Sequence, residues 1–388
     1  MIRLYALALG CLAVVAVSTQ AAGAGNPFLG GRRPVIASSD LDRPSTADGR
    51  AAAFARFLSE TVPTAENLDL SRGQAPYITD DEAVAIARAL RGNTTVIHLN
   101  LAGNHIGNRG AIAIAEALWD NSTLKYINLS HQNTGRFTGD HLLDDGAAGA
   151  FAVALSRNST LEHLDLSLNR ISRVGAVAIA GALSRNSSLK HLSLSRQQMH
   201  GDRGLDAPMP GGGTATQAIA SALAENTTLI ALDLESTGIG DDGAIAIAGL
   251  VRSNSTLQYL DLGFNEIGPA GAAALGAALP YNTTLTTLSL IQNPFVDAGA
   301  IAAGLAFNPT LTTLELPYRV AAREVISNLL ARNARFSAYL PAALALMMST
   351  TWPSPRVPGG IRGMPVEVWN MTLLEFLLPL SARRTNQR

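Results

Sequence analysis

"NSTLEHLDLSLNRISRVGAVAIAGALSR", residues 158–185, carries two hydrophobic periods within 28 residues. Leu161, Leu164 and Leu166 have the alternation of a short strand with inward side chains. Val174, Ala178, Ile179, Ala182 and Leu183 then recur at helical spacing. Neither piece can bury its apolar face alone, so copies of the stretch must stack on one another.

The copies are there. The opening tetrapeptide returns at Asn93, Asn121, Asn158, Asn186, Asn226, Asn254, Asn282 and Asn308, with spacings of 28, 37, 28, 40, 28, 28 and 26 residues. The period is therefore 28, with 9 extra residues in one unit and 12 in another. A degenerate unit precedes them, with "AENLDLS" at 65–71. Strands stacked in parallel at about 4.8 Å would line one side and the wider helices the other, so the stack curves with its strands inside.

The LxxLxLxxN pattern followed by a small-residue helix, as in Leu161, Leu164, Leu166 and Asn169, resembles the ribonuclease-inhibitor type of leucine-rich repeat. That type is also seen in the repeat regions of NOD-like receptors and in Ran GTPase-activating proteins. The resemblance implies an α/β fold, a curved solenoid (horseshoe) with parallel strands on the concave face and helices on the convex face. It implies that Asn104, Asn169, Asn265 and Asn293 form a ladder of side chains paired with loop backbone. Gln132, Gln197 and Thr237 stand in that position elsewhere, so the ladder is expected to break there.

The tetrapeptide also reads as an N-glycosylation acceptor at Asn93, Asn121, Asn158, Asn186, Asn226, Asn254 and Asn282. Yet Asn308 stands before Pro309, which blocks the modification, and Asn333 in "NARF" lacks the hydroxyl residue. The asparagine is therefore read first as a helix stop in the left-handed conformation, with Ser/Thr turning into the next strand. Glycosylation is secondary to that.

Four segments follow. Residues 1–24 have one early positive charge at Arg3, an apolar run from 4 to 17 and small residues at 22–24, the anatomy of a secretory leader. Residues 25–64 hold an amphipathic stretch at 47–60 expected to cap the first repeat. Residues 65–335 form a solenoid of about nine units, and residues 336–388 a C-terminal helical segment. In "MPVEVWNMTLLEFLLPLS" the simplest reading is a cap over the open end of the core. The alternative is a resemblance to the first helices of an F-box-like motif, which implies docking of a ubiquitin-ligase adaptor through Trp369 and Leu373.

Net charge is −1, with charged residues only 15% of the chain, which excludes a nucleic-acid footprint and gives no electrostatic case for a membrane surface. The leader's apolar run is too short for an anchor, so no membrane association is expected after its removal. The only cysteine is Cys11, inside the leader, and no P-loop, GxSxG or HExxH occurs. No catalytic residue, cofactor or metal is expected, although His163, His191 and Asp165 lie close enough to be weighed as zinc ligands. The only lysines are Lys125 and Lys190.

Strand residues between the ladder leucines must point onto the concave face. One column reads Asn67, His98, Tyr126, His163, His191, Ala231, Tyr259, Thr287, Thr313; the next reads Asp69, Asn100, Asn128, Asp165, Ser193, Asp233, Asp261, Ser289, Glu315. His98, Tyr126, His163, Asp165, His191, Asp233, Tyr259 and Asp261 are the candidate contacts for an unknown protein partner, since Tyr and His suit interfaces. Both insertions follow a strand and precede a helix, so they share one rim, and Arg136, Phe137, His141, Met199, His200 and Arg203 are its candidate contacts. The reading is a secreted or periplasmic, non-catalytic protein-binding scaffold. The alternatives are a secreted effector that recruits ubiquitin machinery through its C-terminus, and a cell-surface recognition glycoprotein.

Overall fold

The computed structural model describes residues 59–60, 62–71, 77–132, 142–197, 205 and 214–348. Residues 1–24, most of the 47–60 stretch, both insertion tips and the tail beyond 348 lie outside the described residues. Strands β1 (Asn67–Asp69), β2 (His98–Asn100), β3 (Tyr126–Asn128), β4 (His163–Asp165), β5 (His191–Ser193), β6 (Ala231–Asp233), β7 (Tyr259–Asp261), β8 (Thr287–Ser289) and β9 (Thr313–Glu315) form one parallel sheet in chain order. Between them run α1 (Asp80–Leu90), α2 (Asn108–Ala117), α3 (Asp145–Leu155), α4 (Arg173–Leu183), α5 (Ala215–Glu225), α6 (Asp241–Ser253), α7 (Pro269–Ala278) and α8 (Gly299–Phe307). This repeat unit closes at Arg323. α9 (Arg323–Met348) falls, from Glu324 on, in a second compact unit and is described by itself. It runs unbroken through Asn333, which is a helical residue and not a stop. Ala334 and Arg335 stand where the other units carry the Ser/Thr turn residues, and the Asn333 Oδ1 accepts from the Arg332 guanidinium at 2.8 Å.

The strands' register is the one the leucine spacing dictates. Leu164 pairs with Leu192, Leu232 with Leu260, and so on along the sheet. Leu99, Leu164, Leu232 and Leu260 are each 0% exposed. The helices bury a different face from the one that hydrophobicity alone selects. In α4 the inward residues are Gly175, Ala176, Ile179, Ala180, Ala182 and Leu183, while Val174 is 53% exposed. The reason is room, because a Cβ on Gly175 would stand 2.7 Å from the Ala148 Cβ of α3. The closest helix contacts take the smallest residues, so an apolar count points one residue aside. The extreme is α7 on α8, where a Cβ on Gly304 would overlap the Gly276 carbonyl.

Helix starts are capped from the neighbouring repeat. Asp80, opening α1, accepts from Gly107 N and Gly110 N of the next unit, each at 2.8 Å. Asp145 does the same for Ser172 N and Gly175 N, and Asp241 for Gly268 N and Gly271 N. A carboxylate placed at a helix N-terminus satisfies orphan N–H groups and faces the positive end of the helix dipole.

Two side-chain ladders stitch the unit together. In the strand-side ladder, Asn265 Nδ2 donates to Leu234 O of the previous repeat while its Oδ1 accepts from Ile239 N. The expected breaks at the glutamines do not occur. Gln132 donates to Leu101 O and accepts from Ile106 N, and Gln197 donates to Leu166 O and accepts from Ile171 N. One more methylene leaves the carboxamide's donor and acceptor intact. Thr237 does break the ladder: its one hydroxyl hydrogen goes to Leu234 O in its own unit. Beside the first insertion Asn169 keeps its donors, but its buried Oδ1 has no partner among the described residues.

The second ladder is the tetrapeptide asparagine. Here the expected left-handed stop is corrected. Asn226 (φ −75°, ψ 129°) and Asn254 (φ −75°, ψ 137°) are extended. The left-handed residues are instead those just before the strand-side ladder, including Leu168, Arg196 and Phe264. Asn186 shows what its slot requires. Its Oδ1 accepts from Ser188 N and Leu189 N, and its Nδ2 donates to Leu155 O at 2.8 Å and Asn158 O at 3.3 Å. The same set recurs at Asn121, Asn158, Asn226, Asn254, Asn282 and Asn308, all buried. Asn93 begins the series with Val62 O as acceptor. In the folded chain the sequon nitrogens are thus already committed to backbone carbonyls.

Leu260→Ala should lower stability by about 2–5 kcal/mol in urea unfolding, as buried leucine truncations do. Asn186→Asp keeps the shape and the acceptor but removes both N–H donors. It should cost at least roughly 1–3 kcal/mol at neutral pH, the penalty for orphaned buried carbonyls; an unchanged midpoint would show that this ladder carries no load.

Candidate docking face

Side chains at the first and third positions of each strand leave the sheet on the side away from the helices, because the middle leucine goes into the core. The parallel register then sets equal positions side by side on successive strands. His98 faces Tyr126, Tyr126 faces His163, and His163 faces His191. At the spacing of parallel strands, flat rings in one column stack. Ring centroids are 5.8 Å apart for His98–Tyr126, 4.3 Å for Tyr126–His163 and 5.4 Å for His163–His191, the last two pairs within 21° and 29° of parallel. Ala231 on β6 ends the series.

Tyr126 and His163 spend their facing ring surfaces on each other, and His163 spends its second face on His191. Burial and the neighbouring His191 and His98 push the His163 imidazole down to about 4. Burial with Lys125 lowers His98, and burial with Lys190 lowers His191. Burial also raises the Tyr126 phenol. At neutral pH the stack is therefore uncharged.

The adjacent column changes character along the sheet. Asp165 accepts from Ser167 N at 2.9 Å and Ser167 Oγ at 2.6 Å, and burial raises its pKa. Ser193 Oγ donates to Asp233 at 2.9 Å. On β7 the Tyr259 hydroxyl reaches Asp261 at 3.2 Å, and Gly263 N donates to the same carboxylate at 2.8 Å. Burial, then Asp233, raises Asp261; burial, then Asp261 and Asp233, raises Tyr259. Asp233, Asp261 and Glu315 bring negative charge to β6–β9, whose outward strand positions carry no Lys or Arg.

The sheet thus brings together all eight face residues expected from the spacing, in two touching columns. The six rim residues, Arg136, Phe137, His141, Met199, His200 and Arg203, lie outside the described residues, as do Trp369 and Leu373. Among the described residues no three His, Cys, Asp or Glu gather as metal ligands, and no helix is long and apolar enough to cross a membrane. One group escaped the column reading. Glu162 bridges Lys125 at 3.0 Å and Lys190 at 2.5 Å across β3, β4 and β5, and Lys190 with Lys125 holds its carboxyl below the usual range. The signal was available: the only two lysines occupy the same slot of their repeats, four residues after Asn121 and Asn186. A further pair, Arg196 on Glu235 at 2.7 Å, sits at the loop edge beside the exposed Phe264.

The family model described as "Leucine Rich repeat" matches residues 92–115, 157–180, 225–248 and 253–276. Among solved structures, "Leiomodin-1 Actin-Binding Site 2 (ABS2)" is matched at 26% identity over 44% of this chain and 86% of that one, with a TM-score of 0.34. The tropomodulin C-terminal domain of Caenorhabditis elegans is matched at 14% identity over 44% and 98%, with a TM-score of 0.36. No curated protein matches the sequence. The leucine spacing, the nine-stranded parallel sheet with helices between its strands, and the matched repeats make this chain a leucine-rich repeat protein.

Proposed function

We propose that the chain is a non-catalytic scaffold that docks a protein partner on the outward face of β2–β9 and works outside the cell after losing residues 1–24. The observation that carries this is the two-part face itself. Over β2–β5 one column is an uncharged ring stack, with Asp165 in the column beside it. Over β6–β9 the outward strand positions hold Asp233, Asp261 and Glu315 with no basic side chain. A rigid sheet costs little to order on binding, and Tyr and His give contact area at low side-chain entropy. The partner chemistry that fits is a segment with Arg or Lys over β6–β9 and hydrogen-bonding groups over the rings.

The chain supplies its own probe. Lys125 and Lys190, its only lysines, flank His163 on this face, so amine acetylation reads occupancy there and otherwise marks only the N-terminus. A photo-reactive side chain at position 126 should capture the partner, and one at the exposed, helix-side Val174 should not. The captured partner, once added back, should protect both lysines from acetylation. Asp261→Asn should weaken its binding and flatten the salt dependence. Equal capture at both positions, or full labelling of both lysines in the complex, overturns the assignment.

A further inference from the structure

His163 is held where a positive charge has no counter-ion. The Tyr126 ring covers one of its faces at 4.3 Å and the His191 ring the other at 5.4 Å. The two carboxylates on its own strand segment are engaged elsewhere. Glu162 is bridged to Lys125 and Lys190, and Asp165 accepts two bonds from Ser167. From the flanking strands come Tyr126 on β3 and His191 on β5, with Lys125 and Lys190 one residue before them. Further out are His98 on β2, Glu66 and Asp69 at β1, and Asp233 on β6, the last bonded to Ser193. Glu66 pulls His98 and Glu162 pulls His191 toward the charged form, but no carboxylate does so for His163. Near His163 the neighbours are thus bound carboxylates, two ammonium groups and two other imidazoles.

We propose that the His98–Tyr126–His163–His191 stack is a proton-operated switch in the docking face, closed and uncharged at neutral pH and opened when His163 is protonated. A charged imidazole buried between two rings and disfavoured by His191 and His98 is relieved by swinging out to water. The sign follows from linkage. The closed stack holds its proton less readily than a solvated imidazole, so acid favours the open state. Its stability is complete above pH 6.5, erodes below that and is gone once pH falls through about 4. Burial raises the Asp165 carboxyl as well. The opening belongs to the chain alone; its use, release of a docked partner in acid, rests on the function proposed above.

The test is side-chain NMR of the full chain from pH 7.5 to 3.5, with backbone circular dichroism on the same samples. His163 should titrate well below 6.5, and the Tyr126 ring resonances should shift in that same step as the ring currents are lost, with the sheet signal unchanged. His163→Phe keeps a ring in the stack with nothing to protonate, and His163→Gln removes the ring. In both, the Tyr126 step should vanish. The switch is overturned if His163 titrates near 6.5 with Tyr126 still, if the Tyr126 step survives in His163→Phe, or if the sheet signal is lost in the same step. Lysine protection by the captured partner at pH 7.5 reads the docking assignment separately, since its loss there leaves the NMR result standing.

Discussion

The structure depends on a buried carboxamide that is satisfied on both sides. In the tetrapeptide slot, Oδ1 closes the local turn by accepting two N–H bonds from the same repeat, while both Nδ2 hydrogens go to carbonyls of the repeat before. One of those carbonyls lies near the C-terminal end of the helix that leads into the previous asparagine, and the other belongs to that asparagine. Helix ends leave orphan carbonyls and a turn leaves orphan N–H groups, and a buried polar group without a partner is costly. Asn is the shortest side chain that both donates twice and accepts twice, so no other residue closes both accounts in that space. The bonds are also directional: each unit's turn is built on the one before it. That is why the motif repeats as the fold repeats, and why it persists at Asn308 where Pro follows.

The strand side obeys the same logic with more tolerance. Asn104, Asn265 and Asn293 each link backbone groups of two successive repeats, and Gln132 and Gln197 make the equivalent links. Both glutamines stand immediately before an insertion, where the loop no longer has the standard length. The extra methylene takes up that change while the carboxamide holds the register. Thr237 fails because a hydroxyl has one hydrogen to give, and Asn265 of the following unit compensates by accepting from both Thr237 N and Ile239 N.

These details mark where the sequence was legible. Period, strand register and the membership of both face columns follow from leucine spacing, because alternation and a parallel ladder leave no freedom once the core positions are known. Conformations and contacts that depend on a second repeat were less legible. Nothing in "NSTL" alone distinguishes a left-handed stop from an extended Asn bonded to the previous unit, since both end a helix. The α4 face was misjudged by one residue because hydrophobicity ranks Val174 above Gly175, whereas the space between adjacent helices ranks them the other way. The Lys125–Glu162–Lys190 bridge was missed for a similar reason. It joins three repeats through a column just outside the strands, where alternation no longer says which way a side chain points.

The face residues obey a constraint that is the converse of the ladder's. A parallel sheet repeats every column at strand spacing, so any residue type used twice in succession meets its own kind. Leucines and amides gain from that, and flat rings gain by stacking. Charges lose by it: burial raises the Asp261 carboxyl, and Asp233 in the same column raises it further. The column from His98 to His191 sits between these cases, because imidazole stacks like an aromatic ring when neutral and repels like a charge when protonated. Four ring positions in sequence, three of them histidine, therefore make a surface whose packing is conditional on proton activity in a way that a Tyr/Phe column would not be. The ladders hold the strands in place through such a change, since their carboxamides do not titrate. The scaffold can stay fixed while the face it presents does not.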